Sequence, residues 1–330
     1  MARVCASYRC WLGVLILAVF LQGCGEKITL PNPGETKPNF GDSTYVEIRP
    51  RWEPANGYDF IAPKWVFVGR DKFVYVVDEV KECIFRITRA GLIVDSITGI
   101  SNPVCACQDA MLYLYIVNGT NVIYRKDIYN DGDVEVFFFG DTMTFLGDTL
   151  DDVEFVGIAC TDDSSRALFA IDRAHNRIYR IDRTGAITHI VADRGSGGGT
   201  VEDANGMVYS SSSIYYVQSG GSFGVHKKSI DPPDFPVLLY FAPHGDSVGY
   251  TLDPMGVAVD NEGCIYVADM GNKRVQKFDD AGGFITLVGE GDFEEPVGIG
   301  WYDGVVYIAD RSLGAVIRYQ LSTSVYIPED

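Results

Sequence analysis

The chain has 330 residues and a formal charge of −18, with 45 acidic against 27 basic side chains. No run of lysine or arginine offsets that balance, which speaks against nucleic-acid binding, because such binding needs a positive footprint to displace counterions from phosphates. About 287 residues remain from Thr44 onward, enough for one large β domain or two smaller ones.

In chain order, the first element is an export signal over residues 1–23: basic Arg3 and Arg9, an apolar run from Trp11 to Leu21, then small residues. The run is shorter than the roughly 20 apolar residues that a stable membrane span requires. Leu21-Gln22-Gly23-Cys24 resembles the lipobox of bacterial lipoproteins, in which the cysteine becomes the lipidated first residue. Residues 24–43 carry three prolines and too little apolar content to pack, and read as a disordered tether. Gly25 follows the cysteine where an aspartate would mark inner-membrane retention in enterobacterial lipoproteins. The expected location is therefore the bacterial cell envelope, anchored to the outer membrane through lipid on Cys24 and facing the periplasm or the surface.

Cys5 and Cys10 leave with the signal, and Cys83, Cys105, Cys107, Cys160 and Cys264 stay in the body of the protein. Cys105-x-Cys107 has no second Cys or His pair at ligand spacing, so it is not a zinc pattern. Most of these thiols read as small buried apolar groups, with room for one cross-blade disulfide.

From about Thr44 a degenerate repeat takes over. Its clearest unit runs Asp253-Pro254-Met255-Gly256-Val257-Ala258-Val259-Asp260-Asn261-Glu262-Gly263, then Cys264 to Asp269, then Asn272 to Phe278, then Phe284 to Val288. That is strand, tight turn, strand, polar loop, strand, strand, with hairpin chemistry at Asp260 to Gly263. The order returns at Glu295 to Tyr319, and with loosening fidelity from Ala62, Asn102, Val156 and Asn205. The residues that end each second strand are Asp78, Asn118, Asp172, Gln218, Asp269 and Asp310, separated by 40, 54, 46, 51 and 41 positions. A four-stranded propeller blade takes about 40–50 residues, so the spacing predicts an all-β, six-bladed β-propeller with four-stranded antiparallel blades around a central channel over residues 44–330. Closing the ring calls for Thr44 to Ile48 as the outer strand of the last blade, with Ser324 to Ile327 as the competing segment.

The unit between Pro254 and Phe278, with Pro-x-Gly-Val-Ala-Val-Asp, Gly-x-Ile-Tyr-Val-Ala-Asp and Asn-x-Arg-Val, resembles the NHL-repeat family. The resemblance implies six blades, the usual number in that family. Some propellers of this type are lyases that cleave peptidyl-α-hydroxyglycine with metal-bound histidines at the channel mouth. Here His175, His189, His226 and His244 do not recur at one structural position, so a three-histidine zinc site is hard to assemble.

The repeated residues have structural explanations. Glycine near the start of the inner strand suits a crowded axis. The aspartate ending the second strand can accept backbone N–H groups from the loop that follows. Tyr75, Tyr113, Tyr215, Tyr266 and Tyr307 read as interblade packing. Asn130-Asp131-Gly132-Asp133 and Ser210 to Ser213 read as hairpin turns, and Gly195 to Gly199 as a flexible loop lacking the lysine of a phosphate-binding loop.

With no convincing catalytic set, the leading expectation is a non-catalytic binding or scaffolding module, without a cofactor, that recognises a protein, peptide or glycan. Long connections between blades gather on one face, where recognition residues concentrate. One of them, Ala242 to Leu252, supplies the candidate ligand-binding residues His244, Asp246 and Tyr250. The alternative is an enzyme with zinc or calcium in the channel, either like the lyase or like the calcium-dependent hydrolases found on other six-bladed propellers.

Overall fold

The computed structural model describes residues 43–140, 144, 145, 148, 149 and 152–323. The expected export signal, Cys24, the expected tether up to Asp42 and Ser324 to Ile327 lie outside the described residues, as does most of the connection from Gly140 to Asp152, whereas Ser43 belongs to a strand. No helix among the described residues is long and apolar enough to cross a membrane.

Six four-stranded sheets form, each a simple antiparallel meander. Blade 1 is Pro63–Val68, Val74–Asp78, Cys83–Ile87 and Ile93–Ile97. Blade 2 is Cys105–Gln108, Tyr113–Val117, Val122–Asp127 and Glu135–Phe139. Blade 3 is Phe155–Cys160, Leu168–Asp172, Arg177–Ile181 and Ile187–Ala192. Blade 4 is Ala204–Ser210, Ser213–Gln218, Phe223–Ser229 and Val237–Pro243. Blade 5 is Pro254–Val259, Ile265–Asp269, Arg274–Phe278 and Phe284–Val288. A small extra hairpin, Thr144–Phe145 with Asp148–Thr149, sits in the connection between blades 2 and 3.

Blade 6 takes its inner three strands from the C-terminal part, Pro296–Tyr302, Val305–Asp310 and Ala315–Thr323, and its outer strand from the N-terminal part, Ser43–Glu47. The ring therefore closes as the first of the two sequence candidates predicts. The chain then runs along the same blade: Ile48 N–H donates to the Arg318 carbonyl at 2.7 Å, and Trp52 and Val316 exchange backbone bonds of 3.1 and 2.8 Å. Trp52 is buried, and its ring packs against Tyr58 and Tyr307 beneath the Arg318 guanidinium, 4.5 Å from the ring centre.

The inner strands touch in the order of the blades, and that of blade 6 touches that of blade 1. The apolar core fills the spaces between sheets rather than forming one central mass. Val66, Val74, Val76 and Ile87 of blade 1 cluster with Tyr307 and Val316 of blade 6, and Phe169 and Ile171 of blade 3 with Met207 and Tyr216 of blade 4. Four blades carry glycine at the same inner-strand position because the next blade leaves no space for a side chain. A Cβ on Gly157, Gly206, Gly256 or Gly298 would lie 3.0, 2.4, 2.6 or 2.8 Å from the carbonyl oxygen of Asn205, Met255, Val297 or Lys64, respectively. This is close approach of one backbone to another, the role that glycine plays inside strands.

The residues ending the second strands are buried in all six blades. Their partners extend the sequence expectation, because they tie down the connection entering the blade as well as the turn that follows. Asp78 accepts from Ile61, Ala62 and Lys81 N–H groups, Asp172 from Glu154 and His175, and Asp310 from Glu294, Glu295 and Leu313. Gln218 does the same for Glu202 through its amide oxygen. Of the recurring tyrosines, Tyr75, Tyr215, Tyr266 and Tyr307 are buried between blades, and Tyr113 is half-buried.

Ser211 and Ser212 adopt positive φ in a two-residue hairpin, and Asn130 and Asp131 lie in a turn capped by Asp127. The glycine-rich segment is more firmly held than its composition predicts. Gly199 N–H donates to His226 Nδ1 at 2.9 Å, Lys228 Nζ donates to the Gly199 carbonyl at 3.3 Å, and Ser222 N–H donates to the Ser196 carbonyl.

Candidate functional site

Each inner strand starts at the face where chains cross from one blade to the next, and ends at the face where it turns into the second strand. The central channel therefore has a crossover mouth and a hairpin mouth. Residues from all six blades line a cavity at each mouth, about 350 Å³ at the crossover side and about 430 Å³ at the hairpin side. Trp65 belongs to both linings.

The position of Trp65 follows from register. It occupies the inner-strand slot that is glycine in blades 3, 4, 5 and 6 and Cys105 in blade 2. Its neighbours there are Gly298 on blade 6, whose added Cβ would fall 2.7 Å from the Trp65 Cα, and, across the ring, Gly206 on blade 4, whose added Cβ would fall 3.0 Å from Cζ3 of the indole. Blades 1 and 4 face each other across the axis, so the indole spans the channel and divides it into two chambers. It is only 7% exposed.

The crossover chamber is polar and internally paired. Lys64 Nζ lies 2.5 Å from Glu79, Arg311 pairs with both Glu79 and Glu295, and Arg173 donates to Asn205 Oδ1 at 2.5 Å and lies 3.4 Å from Asp203. Arg311 holds the Glu295 carboxyl below its ordinary range.

The hairpin chamber is different in kind. Its wall is apolar, with Ala106, Ile158, Met207, Val257 and Ile299 among the lining residues, and Phe67, Tyr209, Trp301 and Tyr302 add aromatic surface toward the mouth. The lining includes Arg70 and Lys72 but no aspartate or glutamate. Both cations sit in the blade 1 hairpin, which blade 2 holds in place. Arg70 N–H donates to Gln108 Oε1 at 2.7 Å, Lys72 N–H donates to the Gly69 carbonyl at 2.9 Å, and the Tyr75 hydroxyl donates to Asp71 at 2.7 Å.

Two thiols, Cys107 and Cys160, share this wall on neighbouring blades. Cys105 Sγ lies 3.9 Å from the Ile158 carbonyl, and two residues further along both strands the Cys107 and Cys160 thiols are neighbours. Burial raises the Cys107 thiol well above its ordinary range, and the Cys160 contact adds to that. All five cysteines in the described residues are free.

The residues expected to bind ligand occupy one loop between blades 4 and 5, outside both channel linings. His244 Nε2 lies 3.1 Å from the Gly220 carbonyl, the carbonyls of Asp246 and Tyr250 accept from Arg274 at 2.8 and 2.9 Å, and the Tyr250 side chain is 43% exposed. The four histidines are dispersed. His175 pairs with Asp172 at 2.8 Å, His189 packs on Phe235, and His226 is buried against Tyr216. His226 stands on the third strand of its blade, with burial lowering its pKa to about 4. Among the described residues no three of His, Cys, Asp and Glu cluster with metal-binding geometry.

Sequence reasoning missed Trp65, Arg70, Lys72, Tyr209, Trp301 and Tyr302. The signal available was positional: Trp65 breaks a glycine column, and the other five all lie at or beside the turn from first to second strand.

Residues 251–278 match the NHL repeat family. No curated protein matches the chain. Among solved structures, an auxiliary nutrient binding protein from Bacteroides ovatus superposes with a TM-score of 0.64 at 12% identity, covering 86% of this chain and 77% of its own. A gluconolactonase from Xanthomonas campestris gives 0.58 at 16% identity, with 86% and 98% covered. A catalytically inactive virginiamycin B lyase from Staphylococcus aureus, solved with quinupristin, gives 0.56 at 16% identity, with 81% and 83% covered. At such identities the likeness concerns the fold, which carries different activities in different proteins. The chain is a six-bladed β-propeller that carries an NHL repeat.

Proposed function

We propose that this chain is a non-catalytic ligand-binding module that receives part of a protein, peptide or glycan in the hairpin mouth of its channel. The observation that carries the reading is the chamber itself: about 430 Å³, built by all six blades, floored by Trp65 and walled by apolar and aromatic side chains. Binding sites for small groups are concave, mostly apolar and furnished with few polar groups, with volumes of about 300–1,000 Å³. The fold shared with nutrient binding proteins of Bacteroides is consistent with such a role, as an analogy of scaffold. The reading of Cys24 as a lipid attachment site adds an address, with the propeller displayed on the cell envelope, and metabolic labelling with a fatty acid, abolished in Cys24→Ser, tests that part.

Trp65 and Trp301 both line the chamber, so tryptophan emission reports on its occupancy. Titration with peptide and oligosaccharide panels is expected to shift that emission for a ligand whose affinity falls at least tenfold in Trp301→Ala and Tyr209→Ala. A ligand whose affinity ignores these two substitutions and is lost in Tyr250→Ala would move the site to the blade 4–5 loop and overturn the proposal.

A further inference from the structure

We infer that the group taken into the hairpin mouth is an apolar or aromatic body that carries a carboxylate, with the body against Trp65 and Trp301 and the carboxylate facing Arg70 and Lys72. This rests on the reading of the hairpin chamber as a binding site.

The chain has 45 acidic and 27 basic side chains, yet the chamber lining contains two cations and no carboxylate. Acidic residues do stand in the surrounding hairpins, and in three of them the aspartate is held by a tyrosine and a cation, which for Asp109 comes from the next blade. Asp71 accepts from the Tyr75 hydroxyl at 2.7 Å and from Arg86 at 3.1 Å. Asp109 accepts from Arg166 at 2.7 Å and from the Tyr115 hydroxyl at 3.3 Å. Asp260 accepts from the Tyr266 hydroxyl at 3.0 Å and lies 3.5 Å from Lys277. Three hairpins thus share one arrangement of Tyr, Asp and cation that neutralises the aspartate beside the chamber.

Arg70 and Lys72 are left over from that pairing. The ion pair of Arg70 is with Asp162 at 3.9 Å, both side chains about half exposed, a geometry that contributes little. Lys72 makes no ion pair among the described residues. Their backbone is fixed by Gln108 and Gly69, so both side chains are rooted at the rim of an apolar chamber, where a partly desolvated anion interacts more strongly than in open water. Neither cation needs to leave a strong partner to bind one.

Calorimetric titration of the whole protein tests the inference with matched probes: 1-naphthaleneacetate against 1-naphthaleneacetamide, and N-acetyl-Phe-Phe with a free against an amidated C-terminus. The expected result is at least tenfold tighter binding of the carboxylate in one or both pairs, weakening as salt is raised. Binding of the naphthalene pair alone identifies a free acid as the source, and binding of the peptide pair alone a chain terminus. Arg70→Gln and Lys72→Asn, the latter keeping a residue tolerant of the left-handed turn, should each bring the carboxylate toward the affinity of the amide while leaving the amide unchanged. Equal affinity of carboxylate and amide, with both lowered in Trp301→Ala, overturns the charge inference and leaves the chamber as a neutral-ligand site. Absence of binding by all four probes, or binding indifferent to both Trp301→Ala and Lys72→Asn, overturns the inference, and in the second case the reading of the chamber with it.

Discussion

The indole of Trp65 on blade 1 lies against Gly206 on blade 4, the blade directly across the ring. The contact pairs the largest side chain with the smallest at equivalent inner-strand positions, so the channel is closed by one residue from one blade. An alanine at 206 would place its methyl carbon 3.0 Å from the indole and 2.4 Å from the Met255 carbonyl, and the latter is backbone that cannot rotate away. Gly206→Ala is therefore expected to lower stability by about 1–3 kcal/mol, as overpacking does. Gly197→Ala, with nothing within 4 Å, should stay within about 0.5 kcal/mol. Urea denaturation of both variants beside the parent checks the pair.

Asp310 receives N–H groups from Glu294 and Glu295 in the connection entering blade 6 and from Leu313 in the turn beyond. Asp310→Ala strands these donors in a buried place, at a cost of about 1–3 kcal/mol for each group left unsatisfied. Thermal melting should fall clearly for Asp310→Ala and recover in part for Asp310→Asn, which keeps one acceptor oxygen. A melting temperature unmoved by the alanine would remove the aspartate column from the list of structural supports.

His226 supplies a pH dependence with a definite sign. Burial, with a smaller contribution from the positive charge of Lys228, holds its imidazole at about 4, so it is neutral in the folded protein at pH 7. Its Nδ1 then accepts the Gly199 N–H, a bond that protonation removes. An unfolded chain takes up the proton at about 6.5. Between these values the unfolded state binds more protons, so the contribution is full above about pH 6.5 and is lost as pH falls toward 4, by roughly 3 kcal/mol in all. Denaturation midpoints from pH 7 to pH 4 should drop more steeply in the parent than in His226→Gln, and parallel slopes would refute the assignment.

Cys107 and Cys160 are neighbours across the boundary of blades 2 and 3 in the wall of the hairpin chamber, and a thiol oxidant such as diamide is expected to join them. Peptide mapping by mass spectrometry should find the segment holding Cys107 crosslinked to the one holding Cys160, with Cys83 and Cys264 still free. Because both sulfurs line the hairpin chamber, the oxidised form should also bind chamber ligands with altered affinity. A crosslink that involves Cys105 in place of Cys107 would show that the inner strands sit in a different register.

Much of the fold was readable because its determinants are local and repeated. Each blade advertises its hairpin, its glycine and its terminal aspartate within a window of some tens of residues, and Phe284–Val288 and Ser213–Gln218 form where their patterns place them. The chamber was not readable in the same way. Trp65 looks like one more apolar residue in the strand Pro63–Val68, and only alignment of the blades shows that it stands in a glycine column. Tyr209, Arg70 and Trp301 come together through ring closure, which no local pattern encodes. Choosing His244, Asp246 and Tyr250 followed from loop length, whereas the concavity is made by the short hairpins at the opposite face.

The closing strand Ser43–Glu47 has a consequence in time as well as in space. Arg318 reaches the carbonyl of Ile48 across 270 positions of chain, so the strand Ser43–Glu47 must wait for a partner made much later. During synthesis and any passage across a membrane, that strand travels as an unpaired ribbon, and blade 6 can exist only after the final hairpin has emerged. The ring is thus a lock whose two halves are delivered far apart in time, and a chain interrupted before Ala315–Thr323 lacks the partner strand that completes it.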